Sequence, residues 1–350
     1  MPSEKAIARS FCYALFALLV SWSGVNNAWA TDRSPLERRV IEAWGKRSSR
    51  APSLHYSFSG TSVSMPGRYN NSLSARQRKG KDIPGQETAY PQKRSLSIDF
   101  KSGNFSVEEF DWLMNTDTSQ MGFAHTRHCV LEGAYTLHNI DATGKKAGGT
   151  FLEYGVFGGP STYIPSVANF YYGLFACHGF FVASDDGPFA VVNLKKLGDN
   201  GKTSCSTREE AGSVYVTIRH EPIRNYVFRT EFACDADNEY RPTRSSHYSK
   251  GRLMNEISYT YAGSAGTKDD YVSAITVNRY EFIRPHNLKG PYAMDVLTND
   301  GFRLSTSGFD DSIFRIDPAE GAWCIDYRNM KLFRWHQEDI PLAWSAVPGP

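Results

Sequence analysis

Through much of residues 54–285 this chain carries short segments whose apolar residues recur at every second position, and that period admits few folds. Tyr56 and Phe58 alternate with polar neighbours in His55–Ser59. Leu96, Ile98 and Phe100 do so in Ser95–Phe100, and Val214, Val216 and Ile218 alternate with Tyr215, Thr217 and Arg219. Tyr226, Phe228 and Phe232 share a face opposite Val227, Arg229 and Glu231; Leu253, Ile257, Tyr259 and Tyr261 share another. Successive side chains of a strand point to opposite faces, so alternation means one face buried and one wet, as in antiparallel sheet. Residues 222–225 read as a turn between two of these strands. Gly, Asn and Asp separate the segments, and no β-α-β alternation appears. The sequence therefore predicts an α+β or all-β meander. One helix precedes it: Leu36, Val40 and Trp44 recur every four residues over Pro35–Lys46, with Pro35 suited to a first turn.

The first thirty residues have the order of a secretory signal. Lys5 and Arg9 lead an apolar run at Phe11–Val20, and Ala28-Trp29-Ala30 supplies the small residues of a cleavage site. The run is too short to span roughly 30 Å of hydrocarbon. This predicts a periplasmic or secreted protein, not an integral membrane protein after cleavage, with residues 31–350 forming a single domain. Lysine and arginine number 39 against 37 aspartate and glutamate, which argues against a nucleic-acid partner. Of six cysteines, Cys12 lies in the signal and five remain, so at least one thiol is free or pairs with another chain. Cys205 and Cys234 flank one predicted hairpin and are the favoured disulfide.

Residues 67–94 carry seven Lys/Arg against Asp82 and Glu87 and read as a basic loop. It is either solvated chain or a patch that meets anionic lipid headgroups or an acidic partner. The apolar stretch Val167–Val182 reads as a helix packed on the sheet or as a lid.

Catalytic patterns fail. Residues 198–203 (GDNGKT) end like a phosphate loop, but the glycines stand too close together to form the cradle. Gly-x-Ser-x-Gly, His-Glu-x-x-His and Cys-x-x-Cys are absent. His125, His128 and Cys129, with Cys177 and His178, are soft ligands of the zinc type. A strand through Phe123–Leu131 places His125 and His128 on opposite faces, against a shared metal. The sequence thus predicts no cofactor, no metal and no enzyme.

The second half has a recognisable cadence. Residues 228–232 (FRTEF) lead to Asp235, then residues 240–244 (YRPTR), Tyr248, a turn at 249–251 (SKG) and a strand through Ile257 and Tyr259. Residues 277–282 (VNRYEF) follow. This resembles the periplasmic LolA-like superfamily of lipoprotein carriers, with the sensor domain of RseB-type regulators among its relatives. Residues 314–318 and 321–326 look like a terminal segment common in planctomycete-type secreted proteins. The resemblance covers roughly residues 205–330 and, more loosely, 35–110. It implies a curved antiparallel half-barrel with a few helices on its concave face, around an apolar cavity. A lipid or acyl chain is the ligand expected there. Tyr226, Phe228, Phe232, Tyr259 and Tyr261 are the candidates to line the cavity, although core side chains filling the same face would give the same pattern. An envelope protein partner, read by a sensor module without ligand, is the alternative.

Overall fold

The computed structural model of the chain describes residues 33–70, 79–115, 120–131, 134–141, 150–153, 173–183, 190–193, 203–223, 226–267, 269–280, 290–315, 323–326, 331–334 and 339–340. Residues 1–30, expected to be a secretory signal, lie outside the described residues. The first strands are β1 (Ser53–Ser64), β2 (Thr88–Asp99), β3 (Asn104–Asn115), β4 (Gln120–Leu131), β5 (Ala134–Asp141) and β6 (Thr150–Glu153). A small hairpin follows, β7 (Phe180–Ala183) with β8 (Ala190–Asn193). Next come β9 (Thr203–Glu210), β10 (Ser213–Ile223), β11 (Tyr226–Asp235), β12 (Arg241–Ser249), β13 (Arg252–Ala262), β14 (Tyr271–Arg279) and β15 (Ala293–Ser305). β16 (Trp323–Asp326), β17 (Lys331–Arg334) and β18 (Asp339–Ile340) are short.

All except β7 and β8 belong to one open sheet of 16 strands, in the order β18-β17-β16-β6-β5-β4-β3-β2-β1-β15-β14-β13-β12-β11-β10-β9. Pairing is antiparallel except between β6 and β16. β1 joins the two halves, with β2 on one side and β15 on the other. Register shifts at Ser57/Phe58, His220/Ile223, Ala233/Cys234, His247/Tyr248 and Thr260/Tyr261 fall between β1 and β10. Bulges bend strands and sharpen their twist, so this half of the sheet curls into a concave face.

Helix α1 (Pro35–Arg50) lies in that concavity. The Ser34 hydroxyl accepts the Glu37 amide at 3.1 Å, satisfying one of the free N–H groups of the first turn. The helix runs past the expected Lys46 boundary because Arg47 and Ser48 extend the buried stripe of Val40 and Trp44. Trp44 meets the Phe232 ring edge-on at 5.7 Å and donates its indole N–H to the Tyr240 carbonyl at 2.8 Å. A helical turn at 173–177 closes the concavity beside α1. It answers the expectation of a packed helix within Val167–Val182; residues 167–172 of that stretch lie outside the described residues. Leu174, Phe175, Cys177 and Phe180 cover an apolar floor made by Tyr56, Phe58, Ile98, Ile257, Ile275 and Leu297 among others. On the outer face a 3-10 turn at Asp311–Phe314 packs on β3 and β4, where Arg127 donates to the Ile313 carbonyl at 2.9 Å.

The basic loop is shorter than the sequence suggested. Residues 88–94 belong to β2, and Arg94 turns inward. The strand was hidden because its buried positions there, Gln92 and Arg94, are polar. Pro91 sits where β2 has not yet begun to pair with β3, so its missing N–H breaks no ladder on that side. The base of the loop is ordered: the Asn70 amide donates to Asp82 at 2.8 Å and accepts the Ile83 N–H at 3.0 Å. Residues 71–78 lie outside the described residues.

Candidate functional site

The concave face changes character part-way along each of five adjacent strands. On β1 its positions run Leu54, Tyr56, Phe58, Gly60, Ser62, Ser64. On β2 they run from Ile98 and Leu96 to Arg94 and Gln92, and on β3 from Phe105 and Val107 to Glu109 and Asp111. On β14 Ile275 and Val277 give way to Arg279, and on β15 Leu297 gives way to Asp295. Period-two alternation keeps these side chains on one side, so the strands build an apolar end and a charged end on the same face.

Asp295 is the centre of the charged end and is 0% exposed. Its carboxylate accepts the Ser62 hydroxyl at 2.7 Å, contacts the Arg279 guanidinium, and lies 3.4 Å from Arg94. Arg94 is shared: Glu109 stands 3.6 Å and Asp111 3.9 Å from its nitrogens. The Gln92 amide nitrogen donates to Asp111 at 2.6 Å. Burial pulls the Asp295 carboxyl upward, but Arg279, Arg94 and Ser62 outweigh it and hold the group below the usual range. Burial pushes the Glu109 carboxyl up, against the pull of Arg94. Half-buried aromatic rings border the layer. Tyr90 stacks on Trp112 at 5.6 Å, and Arg68 lies over the rings of Tyr69 and Tyr292 while donating to Ser64 at 2.6 Å.

Taking charges out of water costs several kcal/mol per ion, and well-packed apolar residues often stabilise a fold as well or better. Here the neighbouring turns of the same strands supply such residues. The charges therefore mark a candidate site. Motif search missed it because its members come from β1, β2, β3, β14 and β15. The available signal was a charge in phase with a buried run, as Arg94 is with Leu96 and Ile98.

The residues singled out from sequence lie at the apolar end. Phe232 is buried beneath Trp44, and the Tyr259 hydroxyl meets the Ser245 hydroxyl at 2.7 Å. Gly173 sits so close above that a Cβ there would stand 1.5 Å from the Tyr259 oxygen. Tyr261 donates to the Pro242 carbonyl at 2.6 Å under the Arg241 guanidinium. Core atoms thus occupy the space against these three rings. Tyr226 and Phe228 lie on β11 in phase with Phe232; their side chains fall outside the described residues.

The Cys205–Cys234 disulfide is corrected: both are free thiols. Cys205 is on β9 and Cys234 on β11, with β10 between them; Cys205 pairs with Ile218, Cys234 with Val214. Two strand spacings are about 10 Å, beyond the Cα separation a disulfide spans. Burial pushes the Cys205 thiol up to about 12.

The histidines and cysteines considered for a metal do not converge. His125 stacks on Phe110 at 4.0 Å on the outer face and meets Glu108 at 2.7 Å. His128 is on the inner face, opposite Val107, and burial lowers it to about 4. Cys129 donates to Ser106 on the outer face. His178 accepts from the Tyr56 hydroxyl at 2.6 Å, since that oxygen already takes the Val272 N–H at 3.2 Å. Among the described residues no three His, Cys, Asp or Glu are placed to hold a metal ion.

These features define an α+β protein: one open, curved antiparallel sheet wrapped on a helix, with a charge layer at one end of its concave face. That is the architecture the LolA-like resemblance implied. Solved structures similar to this chain include a domain described as an outer membrane lipoprotein-sorting protein, from Vibrio parahaemolyticus. Identity there is 10% over 79% of this chain and 95% of that one, with a TM-score of 0.37. A DUF1329 family protein from Desulfovibrio piger matches at 11% identity over 79% and 96%, TM-score 0.33. The MucA/MucB complex of Pseudomonas aeruginosa matches at 10% over 80% and 98%, TM-score 0.15. No protein-family model and no curated protein matches the sequence. Among the described residues no helix is long and apolar enough to cross a membrane.

Proposed function

We propose that this is an exported binding protein for an amphipathic ligand such as a lipid, not an enzyme, and that the ligand's polar head enters at the charged end of the concave face. The observation that carries the reading is Asp295, fully buried and clamped by Arg94, Arg279 and Ser62 on a face whose other end is built of apolar side chains. The apolar part of the ligand lies against the half-buried rings bordering the layer. The layer is partly open: the side chains of Asp111 and Arg279 are 24% and 18% exposed. Ser97 with His55 at 2.8 Å and Ser245 with His247 are serine–histidine pairs among the described residues, and the second is closed to a substrate. Ser245 meets His247 at 3.2 Å, and His247 meets Thr230 at 3.1 Å. Ser245 is 0% exposed under the 173–177 turn, and burial lowers His247 to about 4. That chain is a satisfied core network.

Native mass spectrometry of protein purified without detergent tests the reading. A co-purified mass that extracts into organic solvent, and is lost in Asp295→Asn, is expected. A bare polypeptide that also takes up no added amphiphile would sink it. A second reading, an envelope protein-interaction module, is favoured by β9, an eight-residue strand at the sheet's edge among the described residues. Exposed edges pair readily with an added strand. Protection of the β9 amides from exchange by an envelope partner would select it; unchanged exchange with every partner would discard it.

A further inference from the structure

The head-group seat has more carboxylates than guanidinium groups to answer them. Gln92 is 4% exposed, and its amide orientation is fixed because Asp111 can only accept from its nitrogen. Its carbonyl oxygen is therefore an acceptor, and it is buried with no hydrogen-bond partner among the described residues. Native structures rarely leave such an atom unmet. The charges point the same way. Three carboxylates face two guanidinium groups: Arg279 meets Asp295, and Arg94 lies 3.4 Å from Asp295, 3.6 Å from Glu109 and 3.9 Å from Asp111, distances longer than a good hydrogen bond. Arg68 is taken up by Ser64 and two tyrosine rings. The seat thus has one unanswered carbonyl and two carboxylates served by one cation.

We propose that the seat formed by Gln92, Glu109 and Asp111 takes a primary ammonium group, whose three N–H donors and single charge match what it lacks. This rests on the charged end being the ligand seat. A positive head without N–H groups fits the charge but not Gln92, and a carboxylate fits neither. The ammonium belongs either to a lipid head or to a small soluble amine.

Calorimetric titration of the mature, detergent-free protein with octylammonium, octyltrimethylammonium and octanoate tests it. Octylammonium should bind at least about tenfold more tightly than the other two, the scale of one charge-assisted hydrogen bond. Glu109→Gln should remove about that tenfold advantage while the protein keeps its circular dichroism. Should that variant fail to fold, Gln92→Met carries the same expectation. Incubation with vesicles then assigns the source. Extraction of phosphatidylethanolamine but not phosphatidylcholine points to a lipid head; octylammonium binding with no lipid extracted points to a soluble amine. Equal affinity for the trimethyl compound, or preference for octanoate, overturns the ammonium assignment while leaving the charged end a binding seat. If none of the three amphiphiles binds, the seat itself is refuted and the assignment falls with it.

Discussion

The two ends of the concave face share strands, register and curvature, and differ only in what the inward positions carry. At the apolar end, Tyr56, Ile98, Ile257 and Leu297 meet side chains from α1 and the 173–177 turn, and each gains from leaving water. Polar atoms there close on one another, as in Tyr56 with His178 and Ser245 with Tyr259. At the charged end the same backbone buries Asp295 and Arg94 at a desolvation cost, and leaves Gln92 half satisfied. The apolar end holds the fold; the charged end gives up some of that stability. Both are buried, so burial alone does not separate core from site.

Acid should separate the two ends most strongly. Burial, reinforced at His178 by Arg47, lowers His178 to about 3, and burial alone lowers His128 and His247 to about 4. All three are at the apolar end. Their folded values lie below the unfolded 6.5, so the unfolded chain binds more protons and stability falls as pH drops below 6.5. The slope reaches about 1.4 kcal/mol per pH unit for each histidine until its folded value is reached. Glu109 has the opposite sign: its raised value gives stability at low pH that is lost as pH rises. Denaturant titrations across this range should show net acid loss, flattened by His178→Gln and steepened by Glu109→Gln. A pH-independent midpoint would contradict the burial of these histidines.

Asp295→Ala comes next. It leaves Arg94 and Arg279 without their shared carboxylate and should cost about 3–5 kcal/mol. The triple change Arg94→Met, Asp295→Leu, Arg279→Met should be neutral or stabilising by about 1–4 kcal/mol while abolishing ligand uptake. A triple variant as damaged as Asp295→Ala would make the layer a structural element and erase the contrast between the ends. At the apolar end, Gly173→Ala drives a methyl group into the Tyr259 hydroxyl and should cost about 1–3 kcal/mol. Adding Tyr259→Phe should recover part of that in a double-mutant cycle. The smallest effect belongs to the rim of the sheet. Arg208→Ala, breaking the exposed pair with Glu231 at 2.7 Å, should shift stability by less than about 1 kcal/mol.

Alternation made β1, β10 and β11 legible, and the four-residue recurrence made α1 legible, because there burial and hydrophobicity coincide. One pair on β15 reads in reverse. Val296 is 44% exposed while its neighbour Asp295 is fully buried between Ala293 and Leu297, so at this pair hydrophobicity marks the wrong face. The first half of β2 vanished into the basic loop for the same reason. The site was therefore invisible where it departs from the rule that locates strands. The disulfide expectation failed on topology: flanking a hairpin puts β10 between the two cysteines, which proximity in sequence does not reveal. Phe232 and Tyr259 are buried, but no pattern in one sequence tells which element covers their face.

The pairing of β1 with β15, Ser53 against Ser305 and Ser64 against Ala293, also sets the order of events during biosynthesis. The central ladder cannot close until nearly the whole chain has emerged, because the strand that completes it lies in the last sixth of the sequence. Contacts this distant in sequence make folding slow. The half-sheet from β1 to β6 meanwhile waits with the edge of β1 open, so the interval before β15 arrives is when the chain is most exposed to wrong pairing.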